Sequence, residues 1–495
     1  MSTNYKMEIT KIIMSKKNVI PTNKPAKKHK WFLLVLILLC YLLLAVLPYR
    51  KQGGVSPETM ETFELSDYYG DEVSSARAAI LTTNEEALTE RLRLIQQASR
   101  RIVLSTFDFQ ADNSGKLMLA ALYNAASRGV EVNILIDGFS YLAHTTRGID
   151  YFLALGQLEN VTIKVYNPAS LLQPQKSMAR LHDKYLIIDD TAYILGGRNT
   201  YDFFLGTDTD YLNYDWDVLV YETASTPDVS LNQLQSYFSA LWDSKDCRIS
   251  CDSTPFFLKE KVTAATQILI NLHTEALQSH PDWFTPIDYE AMTVPVNHIS
   301  LLSNPTETSV KEPVLFYQMT ELMLQSGEAV TFHTPYILCN DYMMERLQLL
   351  CDGNHSVTMM TNSVANNGNP FGSADYSIHR QELLDTGLSI LEYDNFVSYH
   401  GKCFTIGNRL TGIGSFNWDM RSAYLDTELM LVIDSEPLNA LMQASMAQYE
   451  ADSLIVCPDG TYSLQEGQTP QSLTPSKNLL LKLVRPLSRC VRYLM

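Results

Sequence analysis

Glycine and proline are scarce in this chain of 495 residues, at 22 and 20, which excludes a fibrous protein. Cysteine is scarcer. The eight at positions 40, 247, 251, 339, 351, 403, 457 and 490 do not make a disulfide framework in a chain this long. No second Cys/His pair lies near Cys247 and Cys251 to complete a zinc site, and no cluster of carboxylates asks for a metal, so neither metal nor cofactor is expected. Positive charge is also short. With 38 Lys and Arg against 55 Asp and Glu, the formal charge of −17 argues against a protein that grips nucleic acid over a broad surface. A charged fraction of only 19% beside 46% apolar residues excludes a disordered chain. What remains is a folded protein long enough for a large core or for two similar lobes.

The charge is unevenly spread. Residues 1–30 hold eight lysines (6, 11, 16, 17, 24, 27, 28 and 30) and one acid, Glu8, so this basic tail carries +7 and leaves −24 for the rest. Residues 31–49 are uncharged, and a helix of that length spans about 28 Å, close to the hydrocarbon thickness of a bilayer. Trp31 and Tyr49 fall at its two ends, where amphipathic rings favour the interface. No small-x-small cleavage site follows, so the run reads as an uncleaved, single-pass anchor in the cell membrane. Seven lysines in 11–30 against Arg50 and Lys51 put the N-terminus in the cytoplasm and the body outside. In that compartment Cys247 and Cys251 would either close a small loop or stay as two free thiols.

Residues 50–80 read as a polar linker. A helix is expected over 85–99, from the spacing of Ala87, Leu88, Leu92, Ile95 and Ala98, and then a strand over 101–109. A helix over 117–127 and a buried strand over 130–137 follow, and strand–helix–strand units of this length imply a parallel sheet. The pattern returns with strands at 329–336, 356–361 and 388–393 and helices at 341–350 and 378–385. The fold class is therefore α/β, with one unit used twice: a first lobe over 81–245, a second over 301–457, and a connecting segment, 246–300, without interpretable signal.

The repeat is sharpest where polar residues interrupt the apolar runs. His182-Asp183-Lys184 and His400-Gly401-Lys402 each precede an apolar strand, and Asn199 and Asn417 each follow their histidine by 17 residues. Further on, Asp215-Trp216-Asp217 matches Asp426-Thr427-Glu428. Asp217 and Glu428 then stand 35 and 28 residues after their histidines, a seven-residue insertion in the first copy. In a strand, residues i and i+2 share a face, so each His and Lys project together. The asparagine can donate to an oxyanion beside them, and Asp217 or Glu428 can hold the imidazole by its other nitrogen. Arg198 and Arg421 add positive charge. Such a constellation suits a single phosphodiester, with one imidazole attacking phosphorus and the other protonating the leaving alkoxide.

These residues resemble the phospholipase D superfamily, whose signature is His-x-Lys-x4-Asp followed by Gly-Ser/Gly-x-Asn, over roughly 85–457. The segments Tyr166-Asn167-Pro168, Arg180-Leu181-His182, Thr334-Pro335-Tyr336, Thr361-Asn362-Ser363 and 414–422 (GSFNWDMRS) are similar, more narrowly, to bacterial cardiolipin synthases and related transphosphatidylases. The resemblance implies two tandem α/β/α sandwich lobes forming one bilobed monomer with a single active site between them. It implies a phosphohistidine at His182, with His400 as general acid and then as base for the acceptor. Lys184, Lys402, Asn199, Asn417 and Ser415 would bind phosphate oxygens, Asp217 and Glu428 would orient the histidines, and Asp189 would be the motif aspartate. A phosphatidyl group would pass from phosphatidylglycerol or phosphatidylethanolamine to the hydroxyl of phosphatidylglycerol, with no nucleic acid involved. Gly407 departs from the pattern, standing where the family has its second aspartate. The residues leave open hydrolysis to phosphatidate, and Gly407 leaves open a non-catalytic scaffold with a decayed second motif.

The tail, 458–495, has no acid after Glu466 and carries Lys477, Lys482, Arg485, Arg489 and Arg492. The last four, spaced 3, 4 and 3, lie opposite Leu480, Leu483, Val484, Leu487, Val491 and Leu494. That pattern predicts an amphipathic helix, kinked at Pro486, suited to an anionic lipid surface.

Overall fold

The computed structural model describes residues 26–207, 211–224, 229–353 and 356–495, with the side chains of 26–30 left out. Of the lysines in the expected cytoplasmic tail, those at 6, 11, 16, 17 and 24 lie outside this description, while Lys27, Lys28 and Lys30 fall in the first turns of the helix that follows. The uncharged run forms helix α1 (Ala26–Val46), and Trp31–Arg50 is long and apolar enough to cross a membrane.

The body is two mixed sheets. The first holds β1 (Ala76–Leu81), β2 (Arg101–Thr106), β3 (Glu131–Asp137), β4 (Val161–Tyr166), β5 (Tyr185–Ile188) and β6 (Ala192–Gly196). After β7 (Asn213–Tyr214), which stands outside it, come β8 (Asp217–Glu222), β9 (Cys247–Ser250) and β10 (Val294–Pro295). The second holds β11 (His298–Ser303), β12 (Val330–His333), β13 (Val357–Asn362) and β14 (Ser389–Tyr393). After β15 (Ser398–Tyr399), also outside, it continues with β16 (Cys403–Ile406), β17 (Leu410–Gly414), β18 (Leu429–Asp434), β19 (Ser453–Val456) and β20 (Tyr462–Ser463). Strand order is β10-β1-β8-β6-β5-β2-β3-β4-β9 in one and β11-β18-β17-β16-β12-β13-β14-β19-β20 in the other. Without the short strands β10 and β20 the two orders correspond one to one. The expected parallel pairing is confined to β2-β3-β4 and β12-β13-β14. Elsewhere in these two sheets strands are antiparallel, as in the hairpins β5-β6 and β16-β17, whose turns are too short for a parallel crossover.

Local chemistry sets the helix ends. Helix α2 (Asn84–Gln97) starts in a capping box of Thr83 and Glu86 and buries Ala87, Leu88, Leu92 and Ile95. Helix α3 (Asn113–Ser127) begins four residues before the expected start, because the Asp112 side chain accepts from Gly115 N–H.

Two segments are more tightly bound than their sequence implied. The polar stretch 50–80 is not a free linker, since Tyr68 sits in the core of the second lobe; Tyr49 lies in the same core, not at the bilayer interface expected of it, and its hydroxyl donates to the Thr308 carbonyl at 3.1 Å. The connecting segment contributes β9, β10 and helix α4 (Lys259–Ser279), which buries Val262, Ala265, Leu269 and Ala276 in the first lobe's core. Strand β9 also settles the cysteines. Its extended course puts Cys247 and Cys251 about 13 Å apart, beyond disulfide reach, and both are free thiols.

Candidate active site

The lobes meet through two short crossings. Strands β7 and β15 pair in parallel, with Asn213 opposite Ser398 and Tyr214 opposite Tyr399. The matching bridge joins Leu181 to Thr427. The next residue on each strand carries the chemistry, so His400 comes to lie beside Asp215 and His182 beside Glu428. His400 Nδ1 is 2.6 Å from Asp215 Oδ2, and His182 Nδ1 is 2.8 Å from Glu428 Oε1. Each imidazole is thus held by a carboxylate of the opposite lobe, leaving Nε2 as its outward nitrogen. The ring edges are fixed by Phe107 against His182 and Phe204 against His400, with centroids 5.5 and 5.0 Å apart.

Both histidines line one cavity of about 530 Å³. This is the arrangement the paired motifs imply, but the roles given to Asp217, Arg198, Ser415 and the two lysines change. The acid at His400 is Asp215, not Asp217. In sheet register Gly196 faces Asp217 while Gly414 faces Met430, so the true counterpart of Glu428 is Asp215. The first copy's insertion is then five residues, and Asp217 lies instead between Arg91 Nη2 at 3.0 Å and Arg198 Nη1 at 3.3 Å. Arg198 is consumed by that buried cluster and by the Leu81 and Thr82 carbonyls, so it brings no charge to the cavity.

Ser415 does not face the cavity. Its hydroxyl donates to Glu428 Oε2, while Ser422 Oγ donates to Oε1 at 2.6 Å, so both serines brace the carboxylate. The counterpart of Ser415 is Gly197, where a Cβ would lie 2.2 Å from Asp215 Oδ1: the first lobe needs glycine for its acid to approach. The lysines, too, lie beneath the surface. Lys184 Nζ donates to the His182 carbonyl, and Lys402 Nζ touches the His400 carbonyl and Nδ1 and lies 3.4 Å from Asp215 and from His400 Nε2. Neither lysine lines the cavity, and their charges act from behind the rings.

Asn199 and Asn417 both reach the cavity. Each follows the last strand of its hairpin, lines the cavity, and has a buried Oδ1 with no partner among the described residues. Their amide N–H groups are the donors that suit a phosphate oxygen, the Oδ1 atoms being acceptors. Arg421 reaches the same wall, held by Asp426 at 2.9 Å. The residues between each His and Lys turn away: Asp183 accepts from Ser105 at 3.1 Å and from Tyr237 at 2.6 Å, and Gly401 packs under Trp216.

Electrostatics differ between the halves. Burial opposes ionisation of Asp215, but Lys402 and His400 outweigh it and bring the carboxyl down to about 2. Burial pushes Glu428 up to about 7 despite Lys184 and the two serines. Burial also lowers Lys184 to about 7, and burial with Lys402 takes His400 to about 4. His182 is held well below the usual imidazole range, first by burial and then by Lys184. Below neutrality Glu428 therefore gains a proton and loosens its grip on His182, and above it Lys184 loses its charge. The rate, kcat/KM, is expected to peak near pH 7 and fall on both sides, with Glu428→Gln flattening the acid limb. A rate profile in mixed micelles checks this, and a flat course from about pH 5 to about pH 9 would contradict it.

Asp189 and Gly407 lie at the far ends of β5 and β16, about 23 Å along the chain from the histidines. Asp189 accepts from the N–H groups of Ser99, Arg100 and Arg101 and ties the hairpin to the start of β2. Both residues have positive φ, 51° and 53°, so glycine suits the turn conformationally while giving up the tether. Gly407→Asp is expected to cost about 1–2 kcal/mol of stability and leave turnover unchanged, since its Cβ would crowd Glu328 at 3.3 Å. Thermal unfolding and an activity assay on one preparation check this.

Comparison with known proteins agrees with the two-lobed fold. The family described as "Cardiolipin synthase, PLD-like domain" matches residues 92–242 and 319–449, the two lobes in turn. Cardiolipin synthase C of Escherichia coli (strain K12) is 25% identical over 407 residues, covering 74% of this chain and 83% of that protein. A cardiolipin synthase of Clostridium perfringens (strain SM101 / Type A) is 24% identical over 404 residues, 80% of this chain and 74% of that one. The crystal structure of phosphatidylserine synthase from Haemophilus influenzae Rd KW20 shares the fold, with a TM-score of 0.60, 16% identity, and coverage of 84% of this chain and 95% of that one. The chain belongs to the cardiolipin synthase, PLD-like domain family and is a phosphatidyltransferase of the phospholipase D superfamily.

Proposed function

We propose that the protein makes cardiolipin by moving a phosphatidyl group onto phosphatidylglycerol through a phosphohistidine, while anchored in the cell membrane by α1. The observation that carries this reading is the pair of imidazoles at one cavity, each oriented through Nδ1 by the opposite lobe.

In the first step His182 Nε2 bonds to phosphorus as the P–O bond to the leaving headgroup breaks, and His400 supplies that oxygen with a proton. The entering phosphodiester anion favours the protonated ring that this step requires. Asn199 and Asn417 donate to the non-bridging oxygens, and the lysine charges behind the rings offset the growing negative charge. In the second step the acceptor hydroxyl yields its proton to His400 as its oxygen attacks phosphorus and the P–N bond breaks. A phospholipid hydroxyl then takes the place water would take in hydrolysis.

The test uses phosphatidylglycerol labelled in its headgroup glycerol and its acyl chains, with and without phosphatidylethanolamine. Acyl-labelled cardiolipin with released glycerol supports phosphatidylglycerol as donor, and release of ethanolamine would move the donor to phosphatidylethanolamine. Phosphatidate alone would replace transfer with hydrolysis, and no product would leave a scaffold. The lysine asymmetry about α1 supports a cytoplasmic N-terminus and an external body. Protease digestion of the body in intact spheroplasts checks that orientation, and full protection would reverse it.

A further inference from the structure

An apolar face borders the cavity without belonging to it. Helix α5 (Pro370–Asp385) carries helix α6 (Pro475–Val491) on its flank, and the contact buries Leu481 and Val484 against Ala374. Four other leucines of α6, at 479, 480, 483 and 487, stay 45–62% exposed, and Lys482, Arg485 and Arg489 are exposed beside them. The amphipathic helix expected from the sequence is thus docked by one edge while its leucines remain uncovered. Pro486 lies inside α6 without ending it.

Two further pieces adjoin it. Leu171 and Leu172 are 85% and 92% exposed in the loop before a short turn, Pro174–Lys176, and α1 packs against that turn. The same loop reaches the cavity through the Met178 carbonyl, which accepts from Arg421. At the other side, the chain leaving α1 donates from Gln52 Nε2 to the Tyr493 carbonyl at 2.7 Å, and the neighbouring Leu494 and Met495 line the cavity. The root of the anchor, the loop that follows Leu171 and Leu172, and the chain end beyond α6 therefore each adjoin the cavity wall.

Six exposed leucines beside three basic side chains fit an anionic lipid surface, and the basic stripe offsets repulsion between that surface and an acidic body. We propose that Leu171, Leu172 and the uncovered leucines of α6 seat in the anionic leaflet around the root of α1, so that the cavity opens directly onto lipid. This rests on the reading of α1 as a bilayer anchor and deepens it: the membrane holds the catalytic body itself as well as its tether.

The test places the full chain in nanodiscs of phosphatidylglycerol and phosphatidylcholine containing a diazirine-acyl lipid, with crosslinks mapped by mass spectrometry. Labels are expected on α1, on 171–172 and on 479–487, but not on the exposed Phe256 and Phe257. Labels on α1 alone, or equally on Phe256 and Phe257, would overturn the docking surface. Labelling needs no turnover, so an inactive protein would refute the enzyme reading without touching this one. In a second arm, Leu480→Asp, Leu483→Asp and Leu487→Asp are combined. Transfer from long-chain lipid in vesicles is expected to fall at least about tenfold, with monomeric dihexanoyl lipid used as before. Equal loss on both substrates, or none on vesicles, would overturn the proposal.

Discussion

A His182→Ala variant is expected to lose at least about 10⁴-fold of its transfer rate, because it removes the covalent route and leaves only binding and phosphate stabilisation. His182 sits behind no other nucleophile: its Nδ1 is committed to Glu428 and its Nε2 is the nitrogen presented to the cavity. His400→Ala is expected to fall by a similar factor for a different reason, and one substrate separates the two. With a p-nitrophenyl phosphatidyl ester the leaving group needs no proton, so the His400 variant should release one equivalent of nitrophenol and then stall. It should also retain acid-labile phosphate on the protein. The His182 variant should show neither burst nor label. A burst from His182→Ala and none from His400→Ala would exchange their roles.

Asp215→Asn is expected to slow turnover of each folded molecule by about 10³–10⁴-fold, as loss of a tautomer-fixing carboxylate does in other imidazole-based sites. Asparagine can present the wrong group to Nδ1, and it leaves Lys402 without its carboxylate in a site where both side chains are fully buried. Asp217→Asn should behave in the opposite way. It strands Arg91 and Arg198 in the core, which costs about 3–5 kcal/mol for a buried ion cluster, while each folded molecule keeps its rate. Denaturant melts and rates normalised to folded protein decide between them. A slow, stable Asp217→Asn beside an active Asp215→Asn would restore the pairing suggested by sequence spacing.

That pair also shows where sequence reading ends. The histidines, lysines and asparagines were legible because the duplication repeats their spacing without a gap, and the fold class followed from the strand–helix alternation that recurs with them. The acid was not. Asp215 and Asp217 are two residues apart, so alternation gives both the same face, and only the register of β8 against β6 separates them. The exchange of acids between lobes carried no local signal, since it depends on the Leu181–Thr427 and Tyr399–Tyr214 pairings, which join residues 246 and 185 apart. Ser415 was misread because motif position says nothing about where a hydroxyl points. Helix α4 was missed although Val262, Ala265, Leu269 and Ala276 keep helical spacing, because Thr, Gln, Asn and His dilute that stripe.

The crossed carboxylates have a consequence for how such a protein can be divided. Neither half, expressed alone, owns a working imidazole, because the oxygen that steers each ring is encoded in the other half. Cutting between the halves should silence both, and mixing the pieces should revive activity only where they reassemble face to face. By the same logic a one-lobe ancestor with these crossings had to work as a twofold pair, and fusion made that partnership permanent.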